Sequence, residues 1–485
     1  MKVLFASSEI YPLAKTGGLA DVAGALPQAL RQSGADVRLL MPAYRGVAAQ
    51  AQARAVANLG DPFGRGDAVI LEGRLPGTDL PLWLLDNPAL FDRDGGPYQT
   101  ATGADWPDND ARFALLGWTA ARLSQPGGPL GWQPDILHCH DWQTGLAPAY
   151  LKAWGGPAPA TVFTIHNMAY QGNFDSDLVP RLGLPWELYT LEGFEFWGHL
   201  SFLKSGLALS DRLTTVSPTY AQEIQSAPNG FGMEGLLSWR APDLSGILNG
   251  ADYTIWDPSV DSHLPRRYGL EDFVAGKAAN KAALQAEMGL PQRADAPLLI
   301  VISRLSDQKG MDLLLGIMPA VLGLGCQLAL LGTGDKRLED AFRALADSHG
   351  DQVAVRIGYS EDLAHRMQAG ADMLLMPSRF EPCGLTQIYA LRYGTLPVVH
   401  RTGGLADTVV DSTYDSMLHG QATGFVFNQG LASAFQWTIE RAAALIRNPE
   451  QWRRIQLTAM RTAFGWDKAA AAYTTLYRSL RPHAD

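Results

Sequence analysis

Short apolar runs alternate with amphipathic stretches over most of the chain. Segments 2–7 (KVLFAS), 37–41, 135–139 (DILHC) and 161–165 (TVFTI) have the length and β-rich character of strands buried on both faces. Between several of them the apolar positions take helical spacing, as over 21–32 and 109–123. The second half repeats the rhythm more cleanly. Strands are expected at 298–303, 327–331, 353–357, 373–376 and 396–399, separated by helices at 311–322, 336–346, 361–368 and 385–393. Strand–helix alternation of this kind builds βαβ units around a parallel sheet covered on both faces. Two such series predict an α/β protein of two doubly wound, Rossmann-like domains facing a cleft. The boundary falls near 250–275, where Asn249-Gly250, Trp256-Asp257-Pro258 and Leu264-Pro265 break regular structure before a helix at 275–288. The expected domains are therefore 1–250 and 251–465. A terminal segment, 466–485, is mostly one amphipathic helix with no strand after it. Chemistry in such domains gathers at the carboxyl ends of the strands.

Composition narrows the class. The 485 residues are 47% apolar and 18% charged, which excludes a disordered or fibrous chain. A net charge of −10 argues against an extended nucleic-acid surface. No apolar run approaches the roughly 20 residues that span a bilayer. The opening MKVLFASSEI is too short for a signal-peptide core and reads as a first strand. Cys139, Cys326 and Cys383 form neither an even framework nor a CxxC pair, so a reducing cytoplasm is expected.

Polar motifs fall where strands end. Lys15-Thr16-Gly17-Gly18-Leu19-Ala20-Asp21 follows the first strand and opens a helix. Paired glycines and a helix N-terminus suit an anion, with Lys15 adding a full charge; a tight turn with an incidental lysine is the plainer alternative. TGGLAD recurs at 402–407, after the strand at 396–399, so the same device is expected once per domain. Between another strand and helix, Arg304 and Lys309 can clamp phosphate oxygens or stand as two surface cations. Glu381, in Glu381-Pro382-Cys383-Gly384-Leu385-Thr386, can grip sugar hydroxyls or simply begin a helix. Cys383 has no nearby histidine base and reads as packing.

The remaining polar cluster is His138-Cys139-His140-Asp141-Trp142 with His166-Asn167 at the next strand end. Metal ligation is one reading. A sugar site fits better, because Asp, Asn and His bind hydroxyls while Trp142 and other aromatics offer flat faces. Tyr98 and the Asp105–Asn109 loop extend that chemistry, and the thirteen tryptophans are compatible with carbohydrate binding or with core.

Assembled, these segments resemble the starch/glycogen synthase family over essentially the full length. SSEIYPLAKTGGLADVAGALP, HCHDWQTGLAPAYL, TIHNMAYQG, ILNGADYTIWDP, SRLSDQKG, PSRFEPCGLTQIYALRYGT and RTGGLADTV carry the resemblance, each in family order. It implies a glycosyltransferase B fold with the last helix crossing back to the first domain. It implies transfer of glucose from ADP-glucose to the non-reducing 4-OH of an α-1,4-glucan such as glycogen, with retention and without metal or other cofactor. By motif, Lys15, Gly17, Gly18 and Asp21 belong to the nucleotide-sugar and phosphate site. Arg304 and Lys309 hold the diphosphate, and Thr402, Gly403 and Gly404 lie at the distal phosphate. Tyr359 stacks on adenine. Asp141, Asn167, Asn249, Glu381, Cys383, Gly384 and Leu385 surround the glucose, and Tyr98 joins the sugar site. His166 offers a main-chain carbonyl near the anomeric carbon. In wider relatives a second Glu stands eight residues after the first; here that position is Tyr389. Rival expectations are a UDP-glucose transferase and a catalytically silent glucan-binding protein.

Overall fold

The computed structural model describes residues 1–481, so the last four positions of the 466–485 segment lie outside the described residues. The chain divides into two units, Met1–Gly250 joined by the helix Trp466–Leu480, and Ala251–Gly465.

The first unit is built on a nine-stranded sheet. Seven strands run parallel, in the order Leu244–Gly246, Arg212–Thr215, Ala160–Ile165, Ile136–His140, Lys2–Ala6, Asp36–Pro42 and Pro81–Asp86. Val69–Arg74 and Arg54–Asn58 add an antiparallel edge. Alternate residues of each central strand feed opposite cores. Leu4, Leu40, Leu137 and Phe163 enter one, and Val3, Phe5, Leu39 and Val162 the other. The last helix buries Trp466, Tyr473 and Tyr477 in the second of these cores. There the Tyr477 hydroxyl meets His138 Nδ1 at 2.7 Å. A small antiparallel sheet of Asn173–Asp175, Glu195–Phe196 and His199–Ser201 interrupts the parallel series.

The second unit is a six-stranded, all-parallel sheet in the order Val353–Ile357, Gln327–Gly332, Leu298–Ile302, Met373–Met376, Leu396–His400 and Phe425–Phe427. Numbered along this unit, the order is 3-2-1-4-5-6, that of a dinucleotide-binding sheet. Leu299, Val301, Leu328 and Leu330 face one core, and Leu298, Ile300, Ala329 and Leu331 the other.

The expected βαβ alternation is present in both units. The helix expected at 385–393 begins at Thr386, with Leu385 as its N-cap, so Glu381 lies in the preceding loop and not at a helix entry. Among the described residues no helix is long and apolar enough to cross a membrane, and the three cysteines are buried and form no disulfide.

Candidate functional site

In the second unit the sheet order reverses between Leu298–Ile302 and Met373–Met376, and the loops beyond these two strands carry the cationic and acidic motifs. The first loop ends in the short turn Asp307–Lys309, followed by Gly310 at φ +68°. A Cβ on Gly310 would stand 2.1 Å from the Pro377 carbonyl oxygen, so glycine alone lets the two loops press together. The result is an ion pair: Lys309 Nζ lies 2.5 Å from Glu381 Oε2, which also accepts Ser378 Oγ at 2.9 Å. Glu381 is buried, whereas Arg304 is exposed and reaches Gln308 Oε1 at 3.3 Å. Arg379 braces the pair of loops by donating to Asp312 Oδ2 at 2.6 Å, while its own N–H meets the Gln308 carbonyl at 2.9 Å.

The second TGGLAD segment packs directly on this loop. The N–H of Gly404 donates to the carbonyls of Glu381 and Pro382, both at 3.1 Å. A Cβ on Gly403 would stand 2.0 Å from Glu381 O, and one on Gly404 2.1 Å from Cys383 O. These glycines therefore serve close backbone packing, with Thr402 and Cys383 buried beside them. Gly384, at φ +70°, and Leu385 complete the turn into the helix. Tyr359 lies two residues beyond the edge strand Val353–Ile357 and is 71% exposed, the exposure a stacking platform needs, and its hydroxyl donates to Glu361 at 2.5 Å. Tyr389 stacks face to face on Trp256, centroids 4.1 Å apart and planes within 3°. Trp256 in turn stacks on His365, whose Nδ1 lies 2.7 Å from Asp261 Oδ2. An aromatic stack thus stands where wider relatives are expected to carry a carboxylate.

In the first unit the order reverses between Lys2–Ala6 and Ile136–His140. Beyond the first strand lies Glu9, a residue the sequence reading did not single out. Its Oε2 accepts the N–H groups of Thr16 and Gly17, the latter at 3.2 Å, and its Oε1 accepts the Tyr98 hydroxyl. Ser8 Oγ lies 2.8 Å from the same hydroxyl. The KTGGL loop is thus wrapped around one buried carboxylate, and Tyr98 holds that carboxylate from the other side. Burial raises the Glu9 pKa, and burial beside Glu9 raises that of Tyr98 well above the usual phenol range. Gly17 and Gly18 have nothing within 4 Å of a would-be Cβ. The first TGGLAD therefore presents open glycines where the second has jammed ones. Lys15 is held to Asp21 at 2.8 Å and lies over the Tyr11 ring.

Asp141 caps the strand Ile136–His140 at φ +55°, ψ 180°, a strained setting for a residue with a Cβ. Its Oδ1 accepts the N–H of His166 at 2.7 Å, and Asn167 N–H adds to the same carboxylate. Burial pushes its pKa up to about 7 despite these bonds, and Glu9 adds to the rise. His138 and His140 are buried, and the half-buried His166 joins them in a ladder. His138 lies 2.6 Å from Thr164 Oγ1, and His140 Nδ1 lies 3.0 Å from His166 Nε2. Burial takes the pKa of His138 and of His166 down to about 3, so the ladder is neutral. Both nitrogens of His138 are occupied, by Thr164 and Tyr477. Trp142 is half-buried against Phe113, Phe174 and Phe202, which makes it packing more than platform. Asn249 is buried at the end of the unit.

Arg304, Lys309, Glu381, Cys383, Gly384, Leu385, Thr402, Gly403 and Gly404 thus gather at one strand-end cluster, with Tyr359 two strands over. Lys15, Gly17, Gly18, Asp21 and Tyr98 gather around Glu9, and Asp141, His166 and Asn167 around the neighbouring strand ends. Each cluster combines fixed N–H or cationic groups with a buried carboxylate. The two loops of the second unit can hold an anion, and the carboxylates of the first can bind hydroxyls.

Comparison with known proteins bears on the family and the fold. The model of the starch synthase catalytic domain matches residues 2–239, and that of glycosyl transferases group 1 matches residues 288–456. A glycogen synthase of Paramagnetospirillum magneticum is 61% identical, over 99% of this chain and 98% of its own. One from Marinomonas is 49% identical, over 99% and 100%. Among solved structures, the catalytic domain of starch synthase IV from Arabidopsis thaliana, bound to ADP and acarbose, superposes with a TM-score of 0.88 at 32% identity, covering 99% of each chain. Sucrose-phosphate synthase from Thermosynechococcus elongatus shares the fold, with a TM-score of 0.60 at 17% identity and full coverage of both chains.

Proposed function

The chain belongs to the starch and glycogen synthase family, and we propose that it extends an α-1,4-glucan with glucose from ADP-glucose by the groups described above. Its fold is the two-domain glycosyltransferase B arrangement of that family. The observation that carries the residue-level reading is the Lys309–Glu381 pair at the reversal point of a 3-2-1-4-5-6 sheet, braced by glycines that admit no side chain.

In this reading Arg304 and Lys309 face the diphosphate, and Lys15 with the open glycines Gly17 and Gly18 approaches a phosphate. Guanidinium and ammonium groups take up the charge that develops as the bond from the anomeric carbon to the diphosphate oxygen breaks. Thr402–Gly404 support this loop from beneath. Tyr359 stacks on adenine. Glu381, through Ser378 and Lys309, fixes the ammonium in place and offers its remaining oxygen to sugar hydroxyls. That engagement leaves it poorly set for a nucleophile, so retention proceeds by front-face displacement through an oxocarbenium-like state. The acceptor 4-OH forms the new bond on the face the diphosphate leaves, and its proton passes to the departing phosphate oxygen. Asp141, by taking the N–H groups of His166 and Asn167, fixes the peptide whose carbonyl the reading sets beside the anomeric carbon. Asn249 closes the sugar site. The diphosphate charge is met by side chains, so the proposal calls for no metal. The three buried cysteines, which form no disulfide, fit a reducing cytoplasm.

The test is Lys309→Ala and Arg304→Ala, each expected to lower kcat by about 10²–10³-fold; loss of the exposed Arg304 leaves the unfolding midpoint unchanged, whereas loss of Lys309 lowers it, because Glu381 stays buried without its cation. Wild-type turnover in both variants would remove the diphosphate clamp from the account.

A further inference from the structure

The antiparallel edge of the first unit carries a polar cavity, of about 660 Å³, lined by Arg38, Gln52, Arg54, Glu72, Arg74 and Thr78 among others. The ladder register explains why three arginines meet there. Leu40 stands opposite Trp83, Trp83 opposite Glu72, and Glu72 opposite Arg54, so these four side chains share one face of the sheet. Arg38 lies two residues before Leu40 and Arg74 two after Glu72, which sets both on that same face. Three arginines from three strands therefore share that face with one carboxylate, in a chain whose net charge is −10. That carboxylate is engaged, since Glu72 Oε1 accepts the Trp83 indole N–H at 3.3 Å.

The arginines are poorly neutralised. Neither Arg38 nor Arg54 forms an ion pair among the described residues, and Arg74 reaches Asp79 at 3.5 Å in an exposed contact. The Arg38 guanidinium lies against two indole rings that meet each other edge to face, 5.1 Å from Trp83 and 4.6 Å from Trp132, and its buried Nε has no hydrogen-bond partner. Aromatic contacts of this kind hold a guanidinium fork in place, and an unsatisfied buried donor is what an incoming anion would repair. The volume is that of a small-molecule site. We propose that this cavity binds a small organic phosphate with at least two negative charges, apart from the donor cluster.

Inorganic pyrophosphate is the probe, titrated calorimetrically into the full chain carrying Arg304→Ala and Lys309→Ala, so that the donor clamp does not contribute. The expected result is single-site binding that weakens with salt and falls at least about tenfold when Arg54→Ala and Arg74→Ala are added. Both of these side chains are exposed, so their loss leaves the core intact. On the otherwise wild-type chain, Arg54→Ala with Arg74→Ala leaves basal turnover unchanged. Absence of binding in the clamp-deficient background, or binding indifferent to the two edge arginines, overturns the proposal.

Discussion

Gly404→Ala and Gly18→Ala make the same change in the same TGGLAD motif, yet the structure sets them apart. At Gly404 the added Cβ would stand 2.1 Å from the Cys383 carbonyl oxygen and 2.5 Å from its Cα, where ordinary contact begins at 3.4 Å. The obstacle is backbone, so relief requires the loop bearing Glu381–Leu385 to retreat by about 1 Å, at the upper end of overpacking costs, about 3 kcal/mol. For a domain of about 200 residues that lowers the unfolding midpoint by about 6–12 °C. It also breaks the Gly404 N–H bonds to Glu381 and Pro382 and moves the carboxylate that holds Lys309. Gly18 has open space around its Cβ and begins a fifteen-residue helix, where Ala gains up to about 1 kcal/mol. Gly18→Ala should leave the midpoint unchanged or raise it. Its cost should appear as a higher KM for ADP-glucose, because the methyl fills the space assigned to phosphate. Calorimetric melts and steady-state kinetics on both variants decide the matter. A Gly404→Ala protein with wild-type midpoint and kcat, or a Gly18→Ala protein that unfolds early, would refute the separate roles.

Three further outcomes follow from the buried polar groups. Asp141 has its folded pKa raised to about 7 against about 3.9 unfolded. The folded state then binds the extra proton between those values, so this stabilisation is complete below pH about 4 and is lost as pH rises through about 7. It amounts to at most about 4 kcal/mol. Urea midpoints across that range should show Asp141→Asn flattening the decline, and parallel wild-type and variant profiles would contradict the assignment. Glu9→Gln keeps the shape of the KTGGL anchor but weakens charge-assisted bonds to Thr16 and Gly17. It should raise KM for ADP-glucose about tenfold with the fold intact, and unaltered kinetics would remove Glu9 from the site. Tyr477→Phe leaves buried His138 Nδ1 without its partner from the last helix. The expected loss is about 1–3 kcal/mol by urea unfolding, and no loss would mean the helix docks through apolar contacts alone.

Much of this architecture was written in apolar runs. Strands such as Leu298–Ile302 and Gln327–Gly332 are buried on both faces and announce themselves as continuous hydrophobic segments. Arg54–Asn58 does not, because four of its five residues are exposed at the sheet edge. Phe425–Phe427, at three residues, is too short for any period to show. The candidate site divides along the same physical line. Arg304, Lys309 and Glu381 were visible because their motifs sit at strand ends, where the fold concentrates chemistry. Glu9 was not, since its importance lies in Thr16, Gly17 and Tyr98 folding around it, and a single acid after a strand carries no spacing signal. Its place directly beyond the first strand was the clue available. The two TGGLAD segments show the converse. Identical letters imply one device, whereas the contacts that separate open glycines from jammed ones come from elements distant in sequence. The strained backbone of Asp141 and the Tyr389–Trp256–His365 stack are likewise products of tertiary packing.

Radiolabel followed from ADP-glucose into glycogen on the purified protein, with released ADP measured in the same samples and UDP-glucose run in parallel, tests the proposed transfer itself. Glycogen-dependent incorporation is expected, matched one to one by ADP, strong with ADP-glucose and weak with UDP-glucose. Equal or greater incorporation from UDP-glucose, or ADP release without label in the polymer, would contradict it.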